Sequence, residues 1–373
     1  MKKKFLNLDK NKTIKIFSNI KDNLFFIVFL CSIVFFSLYV FVSEDKKVST
    51  IENKVLVQKP TLSIENILNK SYMNDMEKYL SDQFFNRESF IGKANKYKID
   101  LLLCKYVNDV FLGQDNYLFV RDTKKDFDQE LIEKNISSLS SFLSYCEKKQ
   151  ITTNVFLVPS SYEILDNKID LGTALWFYQN AFDKNEYFKV LENKNNIDIN
   201  LVDNILSKEK DNYIYYKTDH HWTTYGAYCL YKGEINKNIN NYENETKIVS
   251  ETFSGTTANK INIYNTFDTI SAPIIKNEEN VEVIYDMNGK NDDLYKEKYL
   301  NENDKYSYFL DGNHGFVEIK NKNLTNDKKT LVIKDSFANC FIPFMVNDYQ
   351  QIDVIDLRYF NIPISNFLRT NNS

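Results

Sequence analysis

Residues 330–357 read TLVIKDSFANCFIPFMVNDYQQIDVIDL. Two apolar runs, Thr330–Ile333 and Ile352–Leu357, flank a stretch with helical spacing, Phe337–Val346. Short apolar runs bounded by polar residues read as strands buried on both faces, and parallel strands need a crossover between them. The spacing therefore predicts a βαβ unit over residues 329–357. A similar order occurs upstream, where a helical stretch at Phe127–Lys149 leads into TTNVFLV (Thr152–Val158), closed by Pro159. Helix followed by buried strand predicts an α/β layered domain with a mostly parallel sheet.

Earlier in the chain, VFLGQDNYLFV (Val110–Val120) places two apolar runs around Gly-Gln-Asp-Asn and predicts a hairpin. Asn74–Leu103 has the mixed three- and four-residue apolar spacing of an amphipathic helix. Residues 240–328 are rich in Asn and Lys, with strand-like pieces VEVIY and YSYFL, and read as an insertion or peripheral sheet. The chain has 373 residues, enough for one sizeable domain or two modest ones. Its 43% apolar content suits a globular protein. The net charge of −4 comes from interspersed acids and bases, so no basic patch announces nucleic-acid binding. Cys31, Cys104, Cys146, Cys229 and Cys340 form no C-x-x-C pair and fit no zinc or disulfide framework.

Leu24–Val42 (LFFIVFLCSIVFFSLYVFV) is uncharged and about as long as a bilayer-spanning helix. Lys2, Lys3, Lys4, Lys10, Lys12, Lys15 and Lys21 precede it, partly balanced by Asp9 and Asp22. This excess of Lys predicts a cytoplasmic N-terminus, with the rest of the chain outside the cell membrane. No small-residue cleavage site follows Val42, which favours a retained anchor over a signal peptide. The chain thus divides into a cytoplasmic stretch (1–23), an anchor (24–42), a helical linker region (43–106) and an extracytoplasmic domain (107–373).

The chain has three histidines, and two of them fall in YKTDHHWTTY (Tyr216–Tyr225). If that segment is extended, Asp219 and His221 share a side while His220 points away. A carboxylate so placed can hold an imidazole tautomer and stabilise the imidazolium. Thr223 or Thr224 then caps a helix over Gly226–Ile235. In LVIKDSFANCFIPF (Leu331–Phe344), Ser336 follows a strand end and opens the crossover helix. That position is where open α/β folds bind ligands, and the amides and dipole of the helix start could hold an oxyanion. Arg358, at the end of the next strand, can reach that site or pair with Asp353 or Asp356. Asn313 and His314, in LDGNHG, either contact substrate or form an ordinary turn. Ser160 and Ser161 follow a buried run and are the rival nucleophiles.

Taken together, TDHHWTTYGAY, FLDGNHG, LVIKDSFANCFIPF and VIDLRYF resemble the DHHW protein family over roughly residues 75–370. That family is related to the alginate O-acetyltransferases of the AlgJ and AlgX type. The resemblance implies an SGNH hydrolase-like α/β/α sandwich. It also implies a triad of Asp219, His221 and Ser336, and acetyl transfer onto an exported or surface polysaccharide, or its removal. The implied partners are the polysaccharide and a membrane-bound acetyl donor, because soluble acyl-CoA is absent outside the cytoplasm. No cofactor and no metal are called for. Three alternatives stand beside this reading: a manganese phosphoesterase sharing the letters DHH, a zinc site from His220, His221 and His314, and a non-catalytic polysaccharide-binding module.

Overall fold

The computed structural model describes residues 23–49, 54–120, 127–180, 183–195, 197–263, 266–287, 289–364 and 367. The Lys-rich segment before the apolar run, on which the sidedness expectation rests, lies outside the described residues. The chain forms two compact units, Met1–Lys93 and Ala94–Ser373.

In the first unit, Leu24–Val42 forms helix α1, long and apolar enough to cross a membrane. Strands β1 (Val48–Ser49) and β2 (Lys54–Val55) pair antiparallel after it. The stretch expected as one amphipathic helix is two, α2 (Ser71–Asp82) and α3 (Arg87–Asp100). They break at Gln83–Asn86, where Asn86 takes the left-handed conformation (φ 47°) that Asn tolerates at helix ends.

The second unit begins within α3. The expected hairpin is present: β3 (Tyr106–Val107), β4 (Val110–Leu112) and β5 (Leu118–Val120) pair antiparallel in that order. Asp115 and Asn116, both left-handed, turn the chain between β4 and β5. Helix α4 (Gln129–Lys148) is capped by the Asp128 carboxylate, which accepts from the Leu131 amide. The TTNVFLV run that follows forms no ladder. Phe156 and Val158 pack instead against the main core. A short apolar run signals burial, and burial here comes without strand pairing.

Helix α5 (Thr224–Leu230) starts at Thr223, whose hydroxyl accepts from the Gly226 amide at 3.3 Å. Beyond it lie β6 (Thr246–Phe253), a short helix α6 (Thr256–Ile261) and β7 (Asp268–Pro273), which pairs with β6. The central sheet has the order β10-β11-β9-β8, from β8 (Val281–Tyr285), β9 (Phe316–Asn321), β10 (Lys329–Lys334) and β11 (Gln351–Asp356). The βαβ reading places β10 and β11 correctly, parallel and in register from Lys329↔Gln351 to Lys334↔Asp356. The rest of the sheet is antiparallel, so it is mixed rather than mostly parallel.

That difference comes from the segment read as peripheral. Val281, Val283 and Tyr285 of β8 point inward and alternate with half-exposed neighbours. This is the pattern of an antiparallel strand with one solvated face, and β9 joins β8 directly to β11. YSYFL is a 3₁₀ turn and not a strand. One contiguous core, rich in aromatic rings, underlies the central sheet and the segment around Trp222.

Candidate active site

The Asp-His-His-Trp segment is not extended. Trp222 pairs with Tyr215, four residues before the segment, in an antiparallel bridge, and the residues between them bend into a tight loop. Asp268 of β7, 1% exposed, holds the loop from beneath. Its carboxylate accepts from the Lys217 and Thr218 amides, both at 2.8 Å, and from the Thr218 and Tyr213 hydroxyls. Burial raises the Asp268 pKa, opposed by those same hydrogen bonds. The hairpin closes the other side, where the Leu118 amide donates to the Lys217 carbonyl at 2.9 Å.

Asp219 and His221 meet for a local reason. The Asp219 Oδ1 accepts the His221 backbone N–H at 3.0 Å and takes His221 Nδ1 at 2.5 Å. A side chain bonding the amide two residues on is Asx-turn geometry, and it replaces strand alternation as the cause. Oδ2 accepts from the Thr256 amide (2.7 Å) and hydroxyl (2.9 Å). The chain must pass close to Asp219 for this, since a Cβ on Gly255 would lie 2.2 Å from the Asp219 Cβ. His220, expected to diverge, curls back in this loop. Its ring centroid lies 3.9 Å from that of His221, and its Nδ1 meets the Thr256 hydroxyl at 2.9 Å.

From the other side of the bend, His221 Nε2 reaches Ser336 Oγ at 2.8 Å. With Nδ1 protonated and donating to Asp219, Nε2 is the acceptor for the serine proton. Ser336 stands past the carboxyl end of β10, on a 3₁₀ turn, Ser336–Asn339, followed by one α-helical turn, Ile342–Met345. The long crossover helix expected there is absent because Pro343 lacks an N–H and its ring would clash with the Asn339 carbonyl. The site therefore has no long helix dipole to draw on.

Two side chains pin the serine turn. The Trp222 indole donates to the Phe337 carbonyl at 2.8 Å, and the Tyr306 hydroxyl donates to the Ser336 carbonyl at 3.1 Å. Tyr306 also stacks on the His221 ring, with centroids 4.1 Å apart and planes 14° from parallel. The His221 ring is thus fixed by a carboxylate at its edge and a phenol on its face. Burial would raise the Asp219 carboxyl. The His220 and His221 rings, with the His221 hydrogen bonds, more than reverse this and hold it well below the ordinary carboxylate range.

The remaining candidates gather beside this series. Lys334, at the end of β10, is buried and donates to Asn339 Oδ1 at 2.6 Å. Burial lowers its pKa to about 8, opposed by the charge of Asp356, whose carboxylate lies 3.5 Å away. Arg358 pairs with Asp356 through Nε (2.9 Å) and Nη2 (2.6 Å), the ion-pair alternative of the two expected. Its guanidinium stays half-exposed and also touches Asn313 Oδ1 at 3.4 Å. Asn313 is an exposed acceptor shared by Lys334, Asn339 and Arg358. His314 bonds Asp286 at 2.6 Å and approaches Asp311 at 3.4 Å, so its ring is held in the turn by carboxylates. Neither Arg358 nor His314 hydrogen-bonds to Ser336 or His221. Ser160 belongs to a capping box with Glu163, and Ser161 is buried in the turn it caps.

Asp219, His220 and His221 could offer metal-ligand atoms within 4.8 Å of one another. Both His221 nitrogens are already bonded, so an ion there would compete with Ser336. Tyr306, Asp268, Thr256 and Lys334 were not singled out from the sequence. No motif signals them, because each acts on a residue distant in the chain or lies in a run read as strand.

Residues 183–355 match the DHHW protein family. The resemblance read from the sequence therefore stands, and every residue of the Asp219–His221–Ser336 series lies in the DHHW region. Among solved structures, a DHHW family protein from Eubacterium siraeum aligns with a TM-score of 0.54 and 21% identity, covering 71% of this chain and 88% of that one. Bacillus cereus PatB1 with a sulfonyl adduct aligns with a TM-score of 0.52 and 21% identity, covering 71% and 92%. These likenesses show a shared fold. The O-acetyltransferase domain of Pseudomonas putida AlgJ aligns at 14% identity over 44% of this chain and 64% of that one. Its TM-score of 0.32 is too low to carry the fold. No curated protein matches the chain.

Proposed function

We propose that this chain is a membrane-anchored, extracytoplasmic O-acetyltransferase that modifies an exported or surface polysaccharide through an acyl-enzyme on Ser336. The observation that carries this reading is the continuous series from Asp219 through His221 to Ser336 Oγ, with bonds of 2.5 Å and 2.8 Å. The domain is read as SGNH hydrolase-like, in line with the parallel β10–β11 pair whose carboxyl end carries the serine.

In this mechanism Ser336 Oγ attacks the acetyl carbonyl carbon while its proton passes to His221 Nε2. Asp219 balances the imidazolium. The donor's bond to the acetyl group breaks, and the proton on Nε2 goes to the leaving group. A sugar hydroxyl then gives its proton to Nε2 and attacks the acyl-enzyme, and the returning proton regenerates Ser336. The acetyl group comes from a membrane-bound partner, consistent with anchorage by α1 and an extracytoplasmic domain. A sulfonyl adduct has been obtained on PatB1, and reagents of that class capture activated nucleophiles, which supports testing the same chemistry here.

The test uses the full-length chain in detergent. A sulfonyl fluoride is expected to add one mass label, mapped to Ser336 and absent from Ser336→Ala and His221→Ala. The same variants are expected to lose hydrolysis of a chromogenic acetyl ester by on the order of 10⁴-fold. Ester turnover by folded Ser336→Ala equal to wild type would overturn the assignment.

A further inference from the structure

Within the first unit, the far end of α1 is not bare. Most of Leu24–Phe35 is exposed, and so are Ser37, Leu38, Phe41 and Val42, but one side of the far end, at Phe36 and Tyr39, is half-buried against rings from the α2–α3 break and the start of α3. Phe36 meets Phe84 at 4.9 Å and Phe90 at 6.1 Å between ring centroids, and Phe85 meets Phe35 at 5.7 Å and Tyr39 at 4.9 Å. These rings are themselves not enclosed, since Phe84 is 36% and Phe90 47% exposed. The polar residues beside them are already satisfied. Gln83 exchanges hydrogen bonds with the Lys46 amide and carbonyl, both at 2.9 Å, and Asp82 pairs with Lys54 at 2.8 Å.

Length sets the depth of this cluster. The helix has 19 residues and so spans about 28 Å at 1.5 Å per residue, against a hydrocarbon core of about 30 Å. It has no turn to spare outside the bilayer. Phe36 lies six residues before Val42, about 9 Å below the helix end at that same rise. Whatever touches Phe35, Phe36 and Tyr39 must therefore enter the membrane with them.

We propose that the Phe84–Phe85 turn and Phe90 form a wedge that inserts into the outer leaflet beside α1, so that the unit grips the bilayer at two places. The occupant of this exposed aromatic face is lipid, because the face is continuous with the membrane-crossing helix. Aromatic rings suit that level, where one part of a side chain is apolar and its surroundings are partly wet. The wedge goes beyond single-helix anchorage and rests on α1 crossing the membrane.

The experiment places the full-length chain in phosphatidylcholine vesicles with bromine on carbons 6 and 7 of the acyl chain. Phe84→Trp and Phe90→Trp are compared with Leu30→Trp in mid-helix, each corrected for the emission of native Trp176 and Trp222. The added tryptophan at 84 or 90 is expected to lose emission in brominated vesicles as Leu30→Trp does, and to resist aqueous acrylamide. Quenching at 30 with none at 84 and 90 would overturn the wedge while leaving the span intact. Absence of quenching at all three positions would remove the span, and the wedge with it.

Discussion

Asp219 is 1% exposed yet stays ionised, because four donors surround its two oxygens: the His221 amide and ring, and the Thr256 amide and hydroxyl. Asp219→Asn keeps the shape but leaves His221 free to adopt the tautomer that cannot accept from Ser336. A loss in kcat/KM on the order of 10³- to 10⁴-fold is expected, with little change in KM. Lys334 carries the clearest pH signature. Its folded value of about 8 lies below the ordinary 10.5, so between those pH values the unfolded chain binds the extra proton. Stability from this residue therefore rises with pH across that window, as the charge that burial disfavours is released. The unfolding free energy of wild type relative to Lys334→Met, measured in urea at stepped pH, is expected to shift toward wild type by at most about 3.5 kcal/mol, at roughly 1.4 kcal/mol per pKa unit.

At the scale of elements, catalysis in the proposed reading depends on holding two turns face to face. The histidine loop is anchored to β7 through Asp268, and the serine turn is anchored to the histidine loop through Trp222. Trp222→Phe removes one hydrogen bond while keeping most of the ring packing. It is expected to cost about 1 kcal/mol of stability, and the freed serine turn should lower kcat more than it raises KM. Asp268→Asn keeps an acceptor for only one of the two backbone amides, because Lys217 donates to Oδ1 and Thr218 to Oδ2, and it turns an NH₂ toward the other amide. A loss of about 1–3 kcal/mol is expected by thermal or urea unfolding, with esterase activity falling further than the folded fraction. Equal falls in both would mean that Asp268 supports the fold without aligning the site.

At the scale of the whole molecule, the chain joins an apolar helix to a mixed α/β unit whose core surrounds the serine and histidine turns. If α1 crosses the membrane, the full-length chain should stay in the pellet after alkaline carbonate extraction. Leu30→Asp with Val34→Asp adds roughly 2.5–3.5 kcal/mol of insertion cost per substitution and should release it. A wild-type chain recovered in the supernatant would remove the anchor and leave the geometry of the site unchanged.

Features that depend on neighbours in the chain are legible from the amino-acid order alone. The apolar length of Leu24–Val42, the β4–β5 hairpin, the parallel β10–β11 pair and the closeness of Asp219 to His221 all follow from spacings of a few residues. The same order also points to Ser336, through its place after a strand end and through the DHHW resemblance. Contacts between segments far apart in the chain become visible only in the folded molecule. The phenol of Tyr306 on the His221 ring, Asp268 beneath the loop, and β9 set antiparallel between β8 and β11 leave no periodic mark in the chain. Extended alternation predicts that Asp219 and His221 meet, but the loop is curled by side-chain bonds to its own backbone, which supplies a different cause and brings His220 back toward His221. Arg358 had the serine site, Asp353 and Asp356 open to it in sequence, and in the fold it pairs with Asp356, two residues earlier at the end of β11. Pairing of side chains across the fold is set by packing geometry, which a linear pattern does not encode.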